Sequence, residues 1–105
     1  MNDASALTVI AIVTAAPGCE KALRAAQEIL VAETVREPGC LRYELHQSIE
    51  NGRVLIFVES WAGEAQWQAH MRGTAMQQFQ AGGAGKLIED FALHRLFLVA
   101  DGSAP

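Results

Sequence analysis

Residues 40–61 read CLRYELHQSIENGRVLIFVESW, two alternating apolar–polar segments on either side of Glu50-Asn51-Gly52-Arg53. Period-two alternation marks strands, because successive side chains leave opposite faces of a pleated chain. Asn-Gly at the centre of a two-residue loop favours a type I′ turn, which needs positive φ at both positions. That turn predicts a register. On one face Glu50 lies opposite Arg53, Ser48 opposite Leu55, His46 opposite Phe57, Glu44 opposite Glu59 and Arg42 opposite Trp61. On the other, Ile49 meets Val54, Gln47 meets Ile56, Leu45 meets Val58 and Tyr43 meets Ser60. A slip of one residue would exchange the two faces.

Before this hairpin, Leu7 to Thr14 (LTVIAIVT) reads as a strand with apolar residues on both faces, the pattern of a strand covered on both sides. Ala15-Ala16-Pro17-Gly18 breaks it, and Pro17 suits the first turn of a helix. Cys19 to Arg36 is the long helix, with Ala22, Ala26, Ile29, Leu30 and Val35 near one stripe and Leu23 at its border. Glu20 and Arg24 are spaced for an i,i+4 ion pair. Glu37-Pro38-Gly39 ends the helix, since the residue before proline avoids α geometry and Gly39 accepts positive φ. After the hairpin a helix starts at Gly63-Glu64, is interrupted at Arg72-Gly73-Thr74 and resumes over Ala75 to Gln80. Ala81 to Gly85 (AGGAG) reads as a flexible joint, and Lys86 to Val99 as the last strand. Residues 1–6 and 101–105 read as a frayed end and a tail.

The order β-α-β-β-α-β predicts a ferredoxin-like α+β fold, a four-stranded antiparallel sheet with helices on one side. Apolar residues on the second sheet face call for a cover, and a second copy packed sheet to sheet is the economical one.

The chain has 105 residues, half of them hydrophobic and 19% charged, which suits one domain with an ordered core over about 7–99. A formal charge of −4 and eight scattered Lys and Arg residues give no support to nucleic-acid binding. No apolar stretch approaches the roughly 20 residues of a membrane span. The start, MNDASALTVIAIV, lacks the basic region of a signal peptide, so a cytoplasmic location is expected. Cys19 and Cys40 have no CxxC spacing and read as free thiols. His46, His70 and His94 form no HxH or HExxH pattern, so no single element offers a metal site. Gly85-Lys86-Leu87 lacks the hydroxyl of a phosphate-cradling loop.

Glu37-Pro38-Gly39-Cys40-Leu41-x-Tyr43, Glu59-x-Trp61 and Ala69-His70, together with a helical aromatic at Phe79, resemble the antibiotic biosynthesis monooxygenase family over about residues 7–99. The resemblance implies a dimeric α/β barrel and, among several known activities, oxidation of quinols, naphthols or polyketide phenols by O₂ without metal or flavin. Other members degrade haem, isomerise small molecules or have no known activity. Haem-degrading relatives carry an Asn on the first strand, a Trp on the second helix and a His about ten residues on. Here the first strand has no Asn, the Trp position is His70 and the ligand position is Gln80, a poor proximal ligand for haem iron. Ala75 stands where many quinol-oxidising relatives have His.

The resemblance thus implies a small quinol-monooxygenase-like enzyme without a cofactor, acting on a small aromatic substrate and O₂ as a homodimer through the sheet face. His70, with a reference pKa near neutrality, is the candidate base. Tyr43 is a candidate hydrogen-bond donor to a substrate oxygen. Glu59, read as facing Glu44, is a candidate acid–base carboxylate or part of an ion network with Arg42, Arg95 or His46. Arg95, among Leu93 and Phe97, holds a substrate phenolate or pairs with Glu44 or Glu59. Trp61, Trp67, Met71 and Phe79 are the candidate pocket wall. Two alternatives stay open: a non-enzymatic dimer binding a small aromatic ligand, and an isomerase or lyase using the same pocket.

Overall fold

The computed structural model describes residues 6–102; the expected frayed end, apart from Ala6, and the last three residues of the expected tail lie outside them. Strands β1 (Leu7–Ala15), β2 (Cys40–Gln47), β3 (Val54–Trp61) and β4 (Ile88–Leu96) alternate with helices α1 (Glu20–Thr34), α2 (Glu64–Met71) and α3 (Thr74–Ala81). A short 3₁₀ turn, Ala84–Leu87, leads into β4. The strands are antiparallel in the order β2-β3-β1-β4. This is the ferredoxin-like order read from the sequence, with the expected break between α2 and α3.

The expected barrel is not formed. Three ladders join four strands, and β2 and β4 remain opposite edges of an open sheet. Closing a barrel needs a continuous ladder around the ring, and about eight strands to enclose a filled interior.

The hairpin also differs from its expected form. The loop runs over residues 48–53, closed by the Ser48 N–H donating to the Val54 carbonyl at 2.9 Å. Asn51 does not take positive φ, and Gly18, Gly39 and Gly83 are the positive-φ glycines among the described residues. Instead Asn51 Oδ1 accepts from the Arg53 N–H at 3.1 Å, and Ser48 Oγ accepts from the Asn51 N–H at 3.1 Å. Side-chain oxygens thus build the turn that positive φ was expected to build.

The longer loop moves the register by one residue. Tyr43 pairs with Glu59, Leu45 with Phe57, Glu44 with Val58 and His46 with Ile56. Glu44 and Glu59 therefore leave opposite faces, and the expected carboxylate pair does not exist. Glu44 instead binds the Arg42 guanidinium and the His46 ring, each at 2.9 Å, on the exposed face. Those two bonds, Arg42 first, hold its carboxyl down at about 2.

The inner face presents Val9, Ala11, Val13 and Ala15 of β1 with Leu55, Phe57, Glu59 and Trp61 of β3, all buried under the helices. The buried line of α1 is Leu23, Gln27, Leu30 and Thr34. The expected stripe is rotated, since Ile29 is 66% exposed and Val35 half exposed. Two polar residues, Gln27 and Thr34, take positions that apolar counting would not assign to the core. The expected Glu20–Arg24 pair is replaced by Arg24–Glu28 at 3.3 Å.

The joint at 81–85 is less open than its glycines suggested, because Ala84 is buried. β4 ends at Leu96 rather than Val99, for Leu96 already pairs with Thr8, one residue inside the start of β1. Cys19 and Cys40 are free, as expected. No helix among the described residues is long and apolar enough to cross a membrane.

Gly39 turns the chain from α1 into β2 at φ +82°, and a Cβ there would stand 2.8 Å from Cβ of Gln66 and closer still to its Cγ. Left-handed geometry and close approach both select glycine. Gly39→Ala is expected to destabilise the protein by more than the roughly 1–2 kcal/mol of the backbone alone, read as a lower urea midpoint at unchanged slope.

Candidate active site

The corrected register lines up Tyr43, Glu59, Val9 and Arg95 as one row across the inner face. Trp61 follows Glu59 by two on β3, so it shares that face. Its indole N–H donates to Glu59 Oε1 at 3.0 Å. Above the row lies α2, where i,i+3 spacing sends Trp67 and His70 down together.

His70 is 2% exposed. Its ring lies 4.8 Å from that of Trp61 at 30°, and 5.3 Å from that of Tyr43 in an edge-on arrangement. Its Nδ1 contacts Glu37 Oε1 at 2.8 Å. Glu37 stands in the connection after α1, and Gly39 two residues on sets its approach. With Nδ1–H donated to the carboxylate, Nε2 keeps its lone pair, and no hydrogen-bond partner for it occurs among the described residues. Burial lowers the imidazole pKa, opposed by the Glu37 carboxylate, so the ring is neutral at pH 7.

Burial shifts the other ionisable groups of this layer toward their neutral forms as well. Burial, more than the bond from Trp61 can offset, raises the Glu59 carboxyl to about 7. The Tyr43 phenol is pushed far above its ordinary value by burial and then by Glu59 and Glu37, so it remains a donor. Both amide atoms of Gln27 and the Trp67 indole N–H are buried without a hydrogen-bond partner, and the buried Thr34 hydroxyl has the Tyr43 phenol as its neighbour.

One edge of His70 belongs to a cleft of about 520 Å³ between the end of α1, α2 and the start of α3. Glu33, Glu37, Gln66, Thr74 and Gln78 supply its polar wall, and Pro38, Ala65, Ala69 and Ala75 its apolar one. The volume is that of a small-molecule site.

The structure brings four of the sequence candidates together: His70, Tyr43, Glu59 and Trp61. Trp67 is buried beside them in the same core. Arg95 falls on the inner face, which the sequence left undecided, and its partners are neither Glu44 nor Glu59. It binds Glu64 at 3.0 Å and lies 5.6 Å over the Trp67 ring, about half exposed and outside the lining of the cleft at His70. Met71 and Phe79 pack on the core, Phe79 lining a separate cavity of about 190 Å³ between α1 and α3. The residue that sequence reasoning missed is Glu37. It was read only as a helix stop and as part of a motif, and 33 positions separate it from His70. Among the described residues no group of three or more His, Cys, Asp or Glu could hold a metal ion.

The chain is a small α+β protein with an open ferredoxin-like sheet and a buried histidine–glutamate pair beside a ligand-sized cleft. The profile of the antibiotic biosynthesis monooxygenase family matches residues 6–82, and the chain belongs to that family. The crystal structure of PA3566 from Pseudomonas aeruginosa is 32% identical, with 94% of this chain and all of that one covered and a TM-score of 0.85. SO0527 from Shewanella oneidensis is 30% identical, covering 90% of this chain and 91% of that one at a TM-score of 0.83. Rv0793 from Mycobacterium tuberculosis is 26% identical over 94% of this chain and all of its own, also at 0.83. No functionally curated protein matches the chain.

The raised carboxyl of Glu59 has a stability consequence. Its protonated form is favoured in the folded protein, so its contribution is whole below the ordinary value of 4.5 and is lost as pH rises towards about 7. The loss amounts to about 3 kcal/mol over that window. Glu59→Gln is expected to abolish this decline, measured by urea unfolding at pH 4.5, 6 and 7.5.

Proposed function

We propose that this chain is a cofactor-independent monooxygenase that oxidises a quinol or polycyclic phenol with O₂ in the cytoplasm. The observation that carries the reading is the buried, neutral imidazole of His70, oriented by Glu37 at 2.8 Å and set against Trp61 at the edge of the cleft. A phenolic proton passes to Nε2, and the imidazolium that forms is stabilised by the Glu37 carboxylate already on Nδ1. The electron-rich phenolate then reduces O₂. One oxygen atom enters the ring and the other leaves as water, so a quinol becomes a hydroxyquinone. Tyr43, buried against the His70 ring and outside the cleft lining, positions that ring. Glu59, neutral at mildly acid pH, keeps a second negative charge away from the phenolate. Arg95, engaged with Glu64 and Trp67, does not line the cleft and takes no part in this step.

A second copy of the chain completes the proposal. Ile10, Ile12, Ile56 and Val58 are only half buried on the sheet face away from the helices. Phe97, Leu98 and Val99 beyond β4 are 77–86% exposed. Apolar surface of this extent is what a partner subunit removes from water.

Oxygen uptake with a panel of quinols and naphthols tests the chemistry. His70→Ala is expected to lower kcat by roughly 10²–10⁴-fold. On the acid side the wild-type rate should begin to fall below the ordinary imidazole value near 6.5, since protonated His70 cannot act as base. Because Glu37 holds the imidazole pKa up, Glu37→Gln should move that acid limb to lower pH. No uptake with any quinol, together with turnover of an enolisable carbonyl, would overturn the proposal. For the assembly, sedimentation at twice the mass of one chain is expected, and a stable single chain would refute it.

A further inference from the structure

The cleft at His70 has a charge pattern that folding does not call for. Glu33 stands in the last turn of α1, which holds no basic residue, so its charge sits at the negative end of the helix dipole. Among the described residues it makes no ion pair. Glu37 is the second carboxylate on the wall, and no Lys or Arg lines the cleft. The positive end of α3 is there too, but Glu37 already answers it, for a Cβ on Gly73 would stand 3.6 Å from Glu37 Oε2. His70 is neutral and buried, and Gln66, Gln78 and Thr74 are uncharged. The residual charge of the walls is therefore negative, and Glu33 is the part of it with no structural partner.

We infer that the cleft selects its guest by charge, admitting neutral or cationic aromatic molecules and rejecting those bearing a carboxylate or phosphate, with Glu33 as the specificity-determining residue. This rests on the reading above that the cleft is where the substrate meets His70. A like charge about 5 Å away, at an effective dielectric between surface and bulk values, weakens binding about tenfold. Neutral quinols pass this filter, and ring systems still carrying an acid group do not.

The test uses the full chain and three probes of one size: 1-naphthylmethanol, 1-naphthylmethylammonium and 1-naphthoate. Quenching of tryptophan fluorescence reports binding, because Trp61 stacks on His70. The expected result is naphthoate at least tenfold weaker than the alcohol, and the ammonium at least as tight. In Glu33→Gln the gap should narrow at least threefold, and 0.5 M salt should narrow it in the wild type. Naphthoate binding as tightly as the alcohol, a gap unchanged in the variant, or no binding by any probe would overturn the inference. The titration needs no turnover. Correct ranking without oxygen uptake sinks the oxygenase reading alone, and turnover without ranking sinks the charge filter alone.

Discussion

The contact between Glu37 and His70 is the constraint around which the helical layer is arranged. An imidazole taken almost wholly out of water needs a partner for its N–H, and a single carboxylate at 2.8 Å supplies it. To reach that place, the chain leaving α1 must turn sharply, and only a glycine at residue 39 fits both the backbone angle and the space beside Gln66. The same contact joins the α1–β2 connection to α2, two segments far apart in sequence. With α2 fixed there, His70 lies on Trp61 and beside Tyr43, and the gap between α1, α2 and α3 becomes a cleft.

The inner layer is more polar than a core of this size requires. Gln27, Thr34, Glu59 and His70 are all buried, and an unpartnered buried amide costs about 1–3 kcal/mol. Leucine or valine at these places would fold the same sheet more cheaply. Residues that weaken the fold while converging on one layer are expected at functional sites, where stability yields to chemistry. Burial shifts His70, Tyr43 and Glu59 each toward its neutral form, which leaves the Glu37 carboxylate as the charge placed to hold a protonated His70.

Much of the architecture was legible in the chain. Alternation in β1 and β3 and the Glu37-Pro38-Gly39 stop are local signals, and they gave the element order correctly. The hairpin register was not legible, because Asn51-Gly52 satisfies two turn chemistries. A type I′ turn uses its backbone freedom, whereas the observed loop uses the Asn51 and Ser48 oxygens, and the two differ by one residue in register. That single step moved Tyr43 and Glu59 onto one face and separated Glu59 from Glu44. The α1 stripe was misread for another reason: counting apolar residues cannot find a core line that includes Gln27 and Thr34. Family resemblance supplied His70. Its partner Glu37 lay in a quoted motif, but nothing local links a helix-ending glutamate to a histidine 33 positions later.

An open sheet leaves two unpaired strand edges, and the two are unlike. On β2 the Arg42–Glu44–His46 cluster sets hydrated charge beside the free backbone groups, which discourages another strand from adding there. On β4 the charges of Glu89, Asp90 and Arg95 lie within the strand, whereas beyond its end Phe97, Leu98 and Val99 are exposed with no charge among them. Any tendency of this protein to form fibrils or to exchange strands should therefore begin at its C-terminal edge.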